Sequence, residues 1–245
     1  MSEVIELVHR SRAAGAEAHP NGHLAGQETE LPSGRKTESP SGREPASQAV
    51  GPQTERRPVD LEAARSAVVQ LLSALGADLE EEGLQETPRR VAAAFEELLR
   101  PEPFQPTTFE NTEGYDELVV VRDIPFHSLC MHHLLPFTGV AHVAYLPGER
   151  IIGISKLARV VELFARDLQL QERLTTQVAG WLQENLSPKG VGVVIEAEHS
   201  CMSLRGVQKV GARTVTSALH GLIRDDPRTR QEFLTLTTRS RDVHF

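Results

Sequence analysis

Two short clusters hold both cysteines of the chain. Cys130-Met131-His132-His133 is one, and His199-Ser200-Cys201 is the other. A Cys-x-x-His spacing lets a thiolate and an imidazole reach one metal ion, and a second thiolate from a distant segment makes a Cys₂His set. Three protein ligands leave one tetrahedral position open, which marks a catalytic zinc site rather than a structural one. A structural site needs a fourth ligand at close spacing, and the chain has no third cysteine. Two other readings compete. Free cysteine is among the most buried residue types, so isolated cysteines are often inert core. A thiolate beside histidine also serves as a nucleophile. Histidines beside both cysteines bring the metal reading level with inert core.

His132 and His133 are adjacent, so in extended chain they point opposite ways. One can then ligate while the other faces a substrate, and spacing does not say which. His199 and Cys201 are two apart and share a face if that stretch is extended. The result would be one metal with two free imidazoles nearby, a set suited to hydrolysis with proton transfers at more than one atom. Ser155-Lys156-x-x-Arg159 lies at an expected helix start, where backbone N–H groups favour phosphate. Lys156 and Arg159, three apart, share a helix face. Arg205 follows Cys201 closely. In a chain of net charge −8, a local cationic group beside a metal motif suggests a polyphosphate, although basic residues on helices are usually just solvated. For Gln171-Glu172 the spacing alone favours a plain first-turn carboxylate.

These side chains need elements to hold them. Asp60 caps an expected helix with apolar positions Leu61, Ala64, Val68, Leu71, Leu72 and Leu75, a 3.6-residue stripe ended by Gly76. Thr87 is read as the cap of a second helix, with Pro88 at its first position and Pro101 as its stop. The two helices are expected to pack on each other or on a neighbouring subunit. Strands are expected at Leu118–Ile124, Val140–Tyr145, Val191–Ala197 and Lys209–Leu219. Helices are expected at Lys156–Arg166, capped by Ser155, at Gln171–Leu186 and at about Pro227–Thr238. Strands in sequence-adjacent pairs favour an α+β fold, an antiparallel sheet with helices packed on one face.

Composition sets the frame. Of 245 residues, 39% are hydrophobic and 24% charged. The acidic balance argues against a broad basic surface for nucleic acid. No apolar run is long enough to span a bilayer. The start MSEVIELVHRSR carries Glu3 and Glu6 where a signal peptide would be basic and then apolar. With two cysteines in the whole chain, a reducing cytoplasm is the expected setting. Residues 1–57, rich in Pro, Gly, Ser, Glu and Arg, read as a disordered low-complexity tail. A helical pair follows over 58–100, and a catalytic domain over 101–245. The tail is expected to be dispensable. A chain starting at Pro58 should keep assembly and turnover, and loss of either would make the tail structural.

From about Asp60 onward the chain resembles GTP cyclohydrolase I, a family of pteridine and folate biosynthesis. The resemblance rests on Gly83-Leu-Gln-Glu-Thr-Pro-Arg-Arg-Val91, Cys130-Met-His-His-Leu-Leu-Pro-Phe137, Gly153-Ile-Ser-Lys-Leu-Ala-Arg159, Gln171-Glu-Arg-Leu174 and His199-Ser-Cys-Met-Ser-Leu-Arg-Gly-Val-Gln-Lys209. Thr214-Val-Thr-Ser217 and Arg228–Leu236 are similar too. The resemblance implies the tunnelling fold, with Zn²⁺ held by Cys130, His133 and Cys201. It implies His132 and His199 as catalytic histidines, and Glu172 with the Gln171 backbone as the guanine reader. Ser155 would lie near the ribose, and Lys156, Arg159 and Arg205 would hold the triphosphate. It further implies a homodecamer of two pentamers with active sites at subunit interfaces. The implied reaction converts GTP and water to 7,8-dihydroneopterin triphosphate and formate, leaving the phosphates untouched.

The chain departs from the family pattern at Met131, where glutamate is common, and at Asp167-Leu168, where basic residues or proline are frequent. Met131 cannot supply a carboxylate around the metal ligands. A pterin synthase or reductase of the same fold is one alternative, but those lack the two Cys/His clusters together. A non-catalytic, zinc-stabilised assembly protein is another, and the complete catalytic set argues against it.

Overall fold

A computed structural model describes residues 58–238. The expected tail, 1–57, lies outside the described residues. Helices α1 (Leu61–Ala74) and α2 (Thr87–Leu99) come first in the chain and pack on each other. The Asp60 carboxylate caps α1 by accepting from the Ala63 N–H at 2.9 Å, which satisfies one of the four unpaired donors at a helix start. The second start differs from expectation by one residue. Glu86 occupies the cap position without a side-chain capping bond, its carboxylate accepting from Arg89 instead, and Thr87 is already helical. No residue of α1 is buried, so its stripe leaves Leu71 and Leu75 facing outward.

A short ribbon pairs β1 (Thr108–Glu110) with β4 (Arg150–Ile152). The main sheet comprises β2 (Val119–Cys130), β3 (Pro136–Leu146), β5 (Leu168–Gln169), β6 (Gly190–His199) and β7 (Arg213–Gly221). Its order is β5-β2-β3-β6-β7, antiparallel except for the β5-β2 pair. The expected α+β class is the observed one. Helices α3 (Ile154–Ala165) and α4 (Gln171–Leu186) cover one face. Val191, Val193, Ile195 and Ala197, alternate residues of β6, point into that core with Leu157, Val160, Leu174, Val178 and Trp181. A smaller cluster on the opposite face joins Ala144 and Val194 to Ile223 of α6 (Leu222–Asp225) and Phe233 of α7 (Pro227–Thr238). Gly192 is required there, since a Cβ would meet the Phe233 ring at 2.8 Å.

Strand β2 runs six residues beyond its expected end at Ile124, through Pro125 to Cys130. Proline is tolerated because β5 pairs only with Leu129 and Cys130, so the outer edge at Pro125 needs no donor. A register shift lies between Val121 and Ile124, with Asp123 at φ 56°. The Asp123 N–H donates to His142 Nδ1 at 3.2 Å across the bulge. This extension delivers Cys130 to the end of the sheet where β6 also finishes. Two short helices were not legible as helices: α5 (Ser200–Ser203) and α6.

Candidate active site

Cys130 is the last residue of β2, and a tight turn follows it. The Cys130 N–H donates to the Leu135 carbonyl at 2.9 Å, while its carbonyl accepts from His133 and Leu134. Leu134 takes a positive φ of 55° to close the loop. The histidines therefore lie in a turn and not in the extended chain expected from the sequence. Their rings stand nearly perpendicular, at 78° with centroids 6.1 Å apart. His133 Nδ1 lies 3.7 Å from Cys130 Sγ, and His132 Nδ1 lies 3.9 Å from it.

The second cluster also departs from extended geometry. His199 ends β6, and Ser200–Ser203 turns at once into α5, which carries Cys201. Because β3 and β6 pair Phe137 with His199, and β2 and β3 pair Leu129 with Pro136, Cys130 and Cys201 meet at one end of the sheet. The ligand atoms of Cys130, His133 and Cys201 all lie within 4.8 Å of one another. A tetrahedral ion at about 2.3 Å from sulfur and about 2.0 Å from nitrogen separates its donors by roughly 3.5–3.8 Å. The 3.7 Å Cys130–His133 spacing matches that span. Burial and the neighbouring Cys130 sulfur push the Cys201 thiol up. Two thiols crowded this way ionise together only with a cation between them, so the donor set fits a metal such as zinc.

The His199 imidazole lies flat on the buried Phe137 ring, with centroids 4.6 Å apart and planes 1° from parallel. Its Nε2 is 2.8 Å from Gln171 Oε1. Burial lowers its pKa, partly opposed by the nearby Glu172 carboxylate. Gln171 and Glu172 open α4. The Gln171 side chain is buried, whereas Glu172 is exposed at the helix start on the His199 side. Arg205 is exposed and donates to the Cys201 carbonyl at 3.2 Å.

The remaining basic group is elsewhere in the chain. Helix α3 begins at Ile154 after the cap Gly153, so Ser155 lies inside the first turn and does not cap it. At this end the Ile152 N–H donates to Tyr145 Oη at 3.3 Å, and Tyr145 pairs with Val119 at the start of β2. At the other end the Ser128 hydroxyl donates to the Ala165 carbonyl at 2.6 Å. The helix thus runs along β2, with Cys130 beyond its C-terminal end and Lys156 near its N-terminal end. Nine residues at 1.5 Å each put about 14 Å of helix between Lys156 and Ala165. Lys156 Nζ instead stands over the Phe104 ring at 5.8 Å. Arg159 lines a cleft with Glu102, Phe104, Glu162 and Arg166. One chain brings together Cys130, His132, His133, Gln171, Glu172, His199, Cys201 and Arg205. It does not bring Ser155, Lys156 and Arg159 to them.

Fold and donor set together define an α+β protein with a Cys-His-Cys group able to hold a metal ion and further histidines beside it. The family model for GTP cyclohydrolase I matches residues 64–238. A GTP cyclohydrolase 1 of Aquifex aeolicus is 53% identical over 73% of this chain and 97% of its own length. Those of Acetivibrio thermocellus, 50% identical over 73% and 97%, and of Streptococcus thermophilus, 51% identical over 71% and 96%, are similar to the same extent. The chain belongs to the GTP cyclohydrolase I family. No helix among the described residues is long and apolar enough to cross a membrane.

Proposed function

We propose that this chain hydrolyses GTP to 7,8-dihydroneopterin triphosphate and formate, with Zn²⁺ held by Cys130, His133 and Cys201. The observation that carries the reading is the convergence of those three ligand atoms within 4.8 Å, from two segments about seventy residues apart. Zinc in such an open three-ligand site lowers the pKa of water toward about 7 and supplies a hydrolytic nucleophile at neutral pH. His132, on the exposed turn, moves protons at the imidazole half of guanine during ring opening. His199, held on Phe137, serves the second proton transfer. Glu172 accepts from guanine N1–H and the 2-amino group. Binding of the triphosphate by Lys156, Arg159 and Arg205, with Ser155 at the ribose, anchors the reacting ring so that remote binding energy is used for orientation.

The placement of Ser155, Lys156 and Arg159 supports sites shared between subunits, in a homodecamer of two pentamers. Strand β7 ends the sheet with a nine-residue edge on which Val215 is 63% exposed. Natural proteins rarely leave so long an edge uncovered. We also take 58–100 as an N-terminal helical pair, 101–245 as the catalytic domain, and the cytoplasm as the setting.

Cys201→Ala tests the metal assignment. The variant should lose zinc, read by metal analysis of the purified protein, and should release no formate from GTP while its circular dichroism stays that of the parent. Full activity with one zinc per chain would place the metal elsewhere.

A further inference from the structure

The Gln171 carboxamide is buried and fully engaged. Its Nε2 faces three acceptors: the Ile195 carbonyl at 3.1 Å, the Thr214 carbonyl at 2.9 Å and Thr216 Oγ1 at 3.2 Å. Two of these are carbonyl oxygens, which only accept, so a flipped amide would set oxygen against oxygen. The orientation is therefore fixed by the network, and Oε1 is the atom left for His199 Nε2 at 2.8 Å.

Two threonines tighten this arrangement. Thr175 Oγ1 donates to the Gln171 carbonyl at 2.8 Å, which uses its one proton. The 2.7 Å contact between Thr175 and Thr216 must then run from the Thr216 hydroxyl to Thr175 Oγ1. That leaves Thr216 Oγ1 a pure acceptor toward Gln171. The chain of donors closes on itself: Gln171 Nε2 to Thr216, Thr216 to Thr175, Thr175 to the Gln171 backbone.

We infer that Gln171 is a positioning residue that fixes the tautomer of His199. A carboxamide oxygen cannot donate, so the 2.8 Å bond requires a proton on His199 Nε2. In the neutral ring Nδ1 is then the bare nitrogen, and it is the atom through which His199 takes up and returns a proton. Phe137, parallel beneath the ring, fixes the tilt, and Gln171 fixes rotation within the plane. This is a different task from contact with guanine, and it rests on the reading of His199 as a catalytic residue.

The test uses the full-length zinc-loaded protein with GTP. Gln171→Met keeps the length of the side chain and removes the acceptor and the donors. Its kcat should fall by about 10²-fold, in the range seen when the partner that orients a reacting or ligating histidine is lost. KM for GTP should stay within about twofold and zinc per chain should be unchanged, because the ligands are elsewhere. Thr216→Val, which removes one acceptor of the amide and the bond to Thr175, should cost about 2- to 5-fold in kcat, since two carbonyls still hold the amide. Histidine ¹⁵N NMR of the unmutated protein, assigned with His199→Ala, should show the His199 proton on Nε2. A neutral ring protonated on Nδ1, or Gln171→Met at parental kcat, would overturn the inference. If His199→Ala itself keeps full activity, the catalytic reading of His199 fails instead, and the NMR result still decides the tautomer.

Discussion

GTP should exceed ATP in kcat/KM by roughly 10⁴-fold, with inosine triphosphate between them, and Glu172→Ala should erase most of that ranking. Guanine offers two adjacent donors, N1–H and the 2-amino group, and one carboxylate accepts both. Adenine presents a bare N1 at the same place, so carboxylate and lone pair would face each other. A site built to pair a polar group rejects an analogue lacking it by about 10⁴-fold. Inosine triphosphate keeps N1–H but lacks the amino group, which sets its middle rank. In the isolated chain Glu172 is exposed at the first turn of α4, beside His199. Discrimination of that size needs water excluded from the pair, which a bound purine and a neighbouring subunit would do. The measurement is kcat/KM for the three nucleotides on the parent and on Glu172→Ala. An unchanged preference for GTP over inosine triphosphate would leave Glu172 as an ordinary helix-start carboxylate, with Glu232→Ala as the control for an exposed glutamate.

The second large effect concerns subunits. Cys201→Ala removes a proposed metal ligand at one end of α3, and Lys156→Ala with Arg159→Ala removes the cations near the other. Each variant alone should be inactive on GTP. If a site draws the two groups from different chains, mixed assemblies rebuild intact sites. With equal, random mixing, each contribution is sound with probability one half, so about a quarter of parental activity should return. Co-expression of the two differently tagged variants, tandem purification and a formate assay give the readout. No recovery in verified mixed assemblies would mean that both groups serve one site from one chain, against the separation seen along α3.

A shared Cys/His group was legible because both cysteines sit beside histidines; spacing alone left open which of His132 and His133 joins Cys130 and Cys201 in it. Alternation along an extended chain places neither cluster; a turn after Cys130 and the helix α5 at Cys201 do so. Turns of three or four residues have too short a period to show in a hydrophobic pattern. The long reach of β2 was hidden by Pro125, which reads as a stop and is tolerated only because β5 leaves the edge open there. Ser155 reads as a cap by residue type, but Gly153 takes that position without a side-chain bond. The role of the Gln171 side chain could not be read at all. Its partners Ile195, Thr214 and Thr216 are distant in sequence, and glutamine at a helix start carries no signal by type. The pairing of β6 and β7 brings them together.

The proposed activity is one hydrolytic reaction at guanine that spares the phosphates. Incubating the purified protein with GTP and following formate, the pterin chromophore and the ³¹P spectrum tests it most directly. One formate and one pterin are expected per GTP consumed, with no inorganic phosphate and with loss of both products in Cys201→Ala. Release of phosphate without formate, or consumption of GTP that is unaffected by Cys201→Ala, would contradict it.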